Sequence, residues 1–255
     1  MSVHFFKCSI SNKLKNALVS LMVCGAGAAS AGYITADETG MDAVFGQTSF
    51  GSSPVDVRFN PFQTWQNSSL LALDDITDMS SYSTGYRSFS SYSSSSLDLF
   101  VFFVDTVSYC GGYTAAPGYS FAGCGSMPGN LVVLKSSTAA YSNYTVALMA
   151  HEIGHNLNLG HSGVLGAGDN LMNPSLFNAT PSYNPLSPSL SLTATQANTV
   201  LGNSRVQTDA SGNRFISITP IAVVASVPEP ETWIMMLSGL LGIGAFVRQR
   251  KSKAA

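Results

Sequence analysis

Along this chain, short apolar runs are separated by longer stretches rich in serine, glycine and proline, and a few of the runs carry a clear period. Val55 to Phe59 alternates apolar and charged residues, which predicts a half-buried first strand. Leu97 to Val104 is almost continuously apolar and predicts a buried strand. Leu131 to Lys135 predicts a further strand just before a change of period. From Val146 the spacing lengthens to three or four, with Met149 or Ala150, Ile153 and Leu157 forming the core stripe of a helix. Thr145, Asn143 or Ser142 is placed to cap its start, and Asn158 to close its end. Thr195 to Leu201 predicts a short closing helix, and Phe215 to Val224 an extended tail.

Two segments carry no period. Ser80 to Ser96 holds ten serines among seventeen residues, with Tyr82, Tyr86 and Tyr92, and predicts a solvent-exposed low-complexity loop. A surface adhesion or glycan-contact role is its functional reading; no chemistry is assigned to it. Pro174 to Pro188 has four prolines and predicts an irregular loop walling a cleft.

The two ends are patterned differently from the body. Lys7, Lys13 and Lys15 precede the apolar stretch Ala17 to Val23, and Ala29-Ser30-Ala31 offers small residues for cleavage before Gly32, the layout of a secretory signal peptide. A retained N-terminal anchor is the competing reading, against which the short apolar run counts. At the other end, Val227-Pro228-Glu229-Pro230-Glu231 is followed by sixteen mostly apolar residues, Thr232 to Val247, and then by Arg248, Arg250, Lys251 and Lys253. As a helix that run would span about 24 Å, slightly short of a bilayer core, with cations holding the tail on the cytoplasmic side. These three parts in order resemble the PEP-CTERM sorting signal of Gram-negative bacteria. That resemblance implies an exosortase-type sorting enzyme as partner, a transient inner-membrane stage, processing near the Pro-Glu-Pro, and delivery to the cell surface or its matrix. A plain transmembrane anchor is the competing reading. The chain therefore divides into a signal peptide over 1–31, a single domain over 32–222 and a sorting signal over 223–255.

Removing the ends changes the charge. Residues 32 to 226 contain five Lys or Arg and twelve Asp or Glu, giving 5 − 12 = −7, against −2 for the whole chain. An acidic body excludes nucleic acid and anionic membranes as natural partners. Its two cysteines, Cys110 and Cys124, would close a fifteen-residue loop in an oxidising compartment. A disulfide is the reading; two free thiols or a metal pair are the alternatives.

The chemistry lies in one short stretch. Three of the four histidines, His151, His155 and His161, fall within eleven residues, and Glu152 follows the first. On a helix, His151 and His155 sit about 6 Å apart on one face, so both can reach a metal about 2.0 to 2.1 Å from each ring nitrogen. His161 would lie about 240° round from His155 on a continued helix, so the helix must end before it can be a third ligand. Residue 158 is where the chain must turn back in a left-handed conformation, which asparagine tolerates better than most residues; Gly160 loosens the approach to His161.

At these residues the chain resembles the metzincin superfamily of zinc endopeptidases, whose pattern is His-Glu-x-x-His-x-x-(Gly or Asn)-x-x-(His or Asp). Asn170-Leu171-Met172-Asn173-Pro174, starting nine residues after His161, resembles its methionine turn, in the form closest to the matrixin-like branch. The resemblance implies an α+β zincin fold: a twisted, mainly parallel sheet, an antiparallel edge strand that pairs with an extended substrate, and the active-site helix above the methionine turn. It implies Zn2+ held by His151, His155 and His161, with Glu152 as general base and acid for hydrolysis of a protein or peptide substrate by an activated water. Met172 would form an apolar floor under the imidazoles. The chain departs from the family's pattern at Asn158, where glycine is commoner, and in lacking the tyrosine that some branches place two positions after Met172. That absence and the serine-rich segment motivate an alternative: a non-catalytic surface or matrix adhesion protein that keeps zinc for stability.

Overall fold

The computed structural model describes residues 34–89, 97–140, 144–162, 170–174 and 190–226, together with Ser238. The expected signal peptide over 1–31 and nearly all of the C-terminal signal lie outside these residues, as do 90–96 of the serine-rich segment and 175–188 of the proline-containing loop. No helix among the described residues is long and apolar enough to cross a membrane.

In chain order the elements are α1 (Glu38–Phe45), β1 (Val55–Phe59), β2 (Gln63–Gln66), β3 (Ala72–Leu73), α2 (Ile76–Gly85), β4 (Leu99–Val104), β5 (Thr106–Val107), β6 (Tyr109–Cys110), β7 (Tyr113–Thr114), β8 (Gly123–Gly125), β9 (Leu131–Lys135), α3 (Ser136–Ala139), α4 (Thr145–Asn156), α5 (Ala194–Leu201), β10 (Gln207–Thr208) and β11 (Arg214–Val224). The main sheet runs β1-β11-β4-β9-β8, with β2 and β10 also on β11. β1, β2, β4 and β9 join it by parallel pairings, whereas β8 and β10 pair antiparallel. The architecture is thus mixed α/β with a mainly parallel sheet, and β3 with β5 and β6 with β7 form two small ribbons beside it.

The continuous apolar run of β4 has a direct cause. Leu99, Val101 and Phe103 enter a core shared with α1, α4 and α5. Phe100, Phe102 and Val104 enter a second one with Tyr82, Tyr86 and Val133. Both faces are covered, so neither parity of the strand can be polar.

Two expectations need correction. The start of the serine-rich segment is not a loop: residues 80–85 belong to α2, which opens with a capping box formed by Asp75 and Asp78. Tyr82 is fully buried against Trp65 and Phe102, because Met79, Tyr82 and Tyr86 recur at helical spacing that the surrounding serines obscured. Nor is 215–224 a tail. It is β11, the longest strand among the described residues, inside the sheet between β1 and β4. Pro220, which argues against a central strand, fits because β1 has ended by Phe59↔Ile218 and β2 begins at Trp65↔Val223. Its missing N–H therefore falls in the gap between the two.

Candidate metal centre

α4 supplies the first two histidines. Met149, Ala150, Ile153 and Leu157 pack into the core as the periodicity predicted, and Val146 lies against its margin. Tyr144, not one of the three expected residues, occupies the N-cap, with no side-chain capping bond. Thr145 is the first helical residue and donates from Oγ1 to Ala139 O at 2.7 Å; Ser142 and Asn143 lie outside the described residues.

The helix ends in a Schellman motif. Asn158 has φ 72°, its N–H donates to His155 O, and the N–H of Leu159 donates to Gly154 O. This turn has a chemical consequence. It aims Leu159 O back at the ring it has just passed, where it accepts from His155 Nδ1 at 2.7 Å. His151 Nδ1 is held in the same way by Leu171 O of the methionine turn, also at 2.7 Å. A carbonyl only accepts, so each Nδ1 carries the proton and each Nε2 is left with a lone pair.

Those lone pairs converge. His161 Nε2 lies 3.3 Å from His151 Nε2 and 3.1 Å from His155 Nε2, and the ligand atoms of all three residues lie within 4.8 Å of one another. Nitrogens bound tetrahedrally at about 2.0 to 2.1 Å would be separated by about 3.3 Å. The trio has the spacing of a metal-ligating set, with the tautomers of His151 and His155 fixed for it, and can bind a metal ion. Burial pushes the His151 imidazolium down to about 3 and lowers His155 and His161 as well, which keeps all three neutral near pH 7.

Met172 is fully buried and lies against Gly154, where an added Cβ would come within 2.6 Å of its Sδ. The helix thus needs a residue without a side chain between His151 and His155 if the methionine is to lie beneath them. Gly160, by contrast, faces open space.

Glu152 is buried at 6 % exposure. Burial raises its carboxyl to about 8, and the Gly125 backbone N–H, which favours the ionised form, partly opposes this. β8 runs directly beneath it. A Cβ on Gly123 would stand 2.9 Å from Glu152 Cγ, and one on Gly125 only 2.4 Å from Glu152 O. Between them Cys124 points the other way, into the second core and a disulfide with Cys110 whose Cα atoms are 5.5 Å apart. The expected bridge is therefore present, and it anchors the strand next to Glu152.

Sequence reasoning passed over several contributors. Gly123 and Gly125 left a faint signal in their alternation around a cysteine. Asn156 left none: its Nδ2 donates to Ser126 O at 2.7 Å and Leu131 O at 3.0 Å, tying the last turn of α4 to the β8–β9 connection. The resulting cleft, about 670 Å³, is lined by the three histidines, Glu152 and the exposed side chains of Tyr113 and Met127. Lys135 also borders it and donates from Nζ to Ser120 Oγ at 2.8 Å.

Comparison with known proteins bears on the C-terminal end. Residues 226–251 match the family model of the PEP-CTERM protein-sorting motif. The chain is thereby marked for exosortase-type sorting machinery and for export to the cell envelope of a Gram-negative bacterium. No curated protein and no solved structure matches it.

Proposed function

We propose that this exported protein is a zinc endopeptidase of the metzincin type, with His151, His155 and His161 as ligands and Glu152 as the group that moves the proton. The observation carrying this reading is the convergence of three Nε2 atoms at 3.1 and 3.3 Å, two of them with the opposite ring nitrogen committed to a carbonyl. Three neutral imidazoles with no anionic ligand suit zinc and leave a position open for chemistry. When bound, the ion would acidify a water toward about pH 7, polarise a peptide carbonyl and favour the ionised form of Glu152.

The chain's own residues supply the rest. Glu152, one residue after the first ligand and steadied by the Gly125 N–H, accepts a proton from the attacking water and returns it to the leaving amine. β8 ends the main sheet, so its outer side offers backbone groups to an extended peptide, with Tyr113 and Met127 giving apolar contact nearby. It would serve as the substrate-pairing edge strand that the metzincin resemblance implies. β9 itself has strand neighbours on both sides.

Glu152→Gln in the purified protein tests the reading. It should keep one zinc per chain and lose peptide hydrolysis by at least about a hundredfold; hydrolysis at the native rate would remove Glu152 from the role. A native protein that binds zinc, melts much lower in chelator and cleaves no protein or peptide would instead establish the non-catalytic surface protein.

A further inference from the structure

We infer that Asn170 and Gln196 form a two-point amide clamp that sets the position of His161, with Gln196 on α5 acting as a positioning residue for the third ligand. The inference rests on the metal-centre reading above.

His161 and Ser162 follow the end of α4 and belong to no helix or strand, so no regular backbone ladder holds the third imidazole. Side chains and single backbone bonds do this instead. The Ser162 N–H donates to Met172 O at 2.9 Å, and Ser162 Oγ donates to Asn170 Oδ1 at 2.7 Å. Asn170 Oδ1 also accepts from the Met172 N–H at 2.9 Å. The segment bearing the third ligand and the turn beneath the first thus meet on one carboxamide oxygen.

Gln196 fixes that carboxamide. Asn170 Nδ2 donates to Gln196 Oε1 at 2.8 Å, and Gln196 Nε2 donates back to Asn170 Oδ1 at 3.0 Å. Reversing one amide would set donor against donor and acceptor against acceptor, and reversing both would face their NH2 groups with the Met172 and Thr193 N–H, so the pair has one orientation. The second Nε2 hydrogen reaches Ser162 Oγ at 3.1 Å. Gln196 is itself anchored: its Oε1 accepts from the Thr193 N–H at 2.9 Å, completing the capping box of α5. That helix is seated in the core by Ala197 and Val200. The linkage runs from a packed helix, through two amides, to the residue next to His161.

Gln196 therefore has two separable duties, capping α5 and donating to the ligand segment. Gln196→Glu separates them. A glutamate at this position still accepts from Thr193 and completes the capping box, but it puts an oxygen where Nε2 donated and opposes it to Asn170 Oδ1. Gln196→Ala removes both duties.

Chelator-competition titrations of the full-length chain with Zn2+, and visible spectra with Co2+, read the ligand set directly. The expected result for Gln196→Glu is a zinc Kd raised about tenfold to a hundredfold and an altered Co2+ spectrum. The metal-free melting temperature should fall less in Gln196→Glu, which keeps the cap, than in Gln196→Ala. Native zinc affinity and an unchanged Co2+ spectrum in Gln196→Glu would overturn the clamp and leave the metal centre standing. A metal-free melting temperature that falls as far in Gln196→Glu as in Gln196→Ala would also overturn it, by reducing Gln196 to a helix cap. If the native chain binds neither ion at one per chain, the metal reading and the clamp fail together.

Discussion

At Asn158 the backbone adopts φ 72°, a conformation costing an ordinary L-residue about 1 to 2 kcal/mol. Asn158→Gly should keep stability and zinc affinity, whereas Asn158→Val should lower both, measured by denaturant unfolding and by zinc titration. Gly125 imposes a different constraint, one of space. Because an added Cβ would meet Glu152 O at 2.4 Å, Gly125→Ala should push β8 away from the carboxylate. Hydrolysis should fall at least about tenfold with zinc still bound, since a misplaced catalytic group of this kind costs about that much or more. Titration at the site runs in opposite directions. The lowered histidines favour the metal-free fold when neutral; their contribution is complete above about 6.5 and is lost as pH falls, for His151 toward about 3. Glu152 is raised from 4.5 to about 8, so its contribution is complete below 4.5 and is lost as pH rises through about 8. The metal-free protein should therefore lose melting temperature between pH 6.5 and 8, and Glu152→Gln should flatten that slope. A slope unchanged in the variant would assign the effect to another group.

Among the elements, the edge strand β8 is the one on whose position the proposed peptide hydrolysis depends. It is three residues long and pairs only with β9 within the sheet; beyond that pairing it is held by the Gly125 N–H to Glu152 and by the Cys110–Cys124 bridge. Closing a loop of this length contributes about 3 kcal/mol in the chain-entropy model. Reduction should lower the melting temperature accordingly and weaken peptide hydrolysis more than zinc binding, because the bridge holds the strand beside Glu152 and not the histidines. α4 was legible in advance because its core stripe and its ligands both follow helical spacing on different faces. α2 was not, because its apolar positions are spread among serines, and burial of Tyr82 and Tyr86 became apparent only with Trp65 and Phe100 in place.

For the whole molecule, the decisive element is the last one. β11 lies between β1 and β4 and ends at Val224, two residues before the sorting motif begins at 226. Processing at the Pro-Glu-Pro should thus leave the sheet intact, and a chain ending at 226 should melt with the same cooperativity as the unprocessed protein. A chain ending at 213 should fail to fold, since it would leave β1 and β4 without the strand between them; circular dichroism and thermal unfolding distinguish the two. By itself the sequence determined the local features of this protein: the C-terminal address, the disulfide pair, and two histidines and a glutamate whose spacing is fixed by the pitch of a single helix. Those are local properties, carried by neighbours in the chain. Only the tertiary structure decided what lies far apart in sequence. It placed β11 inside the sheet between β1 and β4 and made Leu159 and Leu171 the carbonyls that set the two tautomers. It also brought Gly123 and Gly125 beneath Glu152 and joined Asn170 to Gln196 beside His161. Backbone carbonyls carry no side-chain signature, and a glycine or a glutamine reveals its partner only once the chain has folded around it.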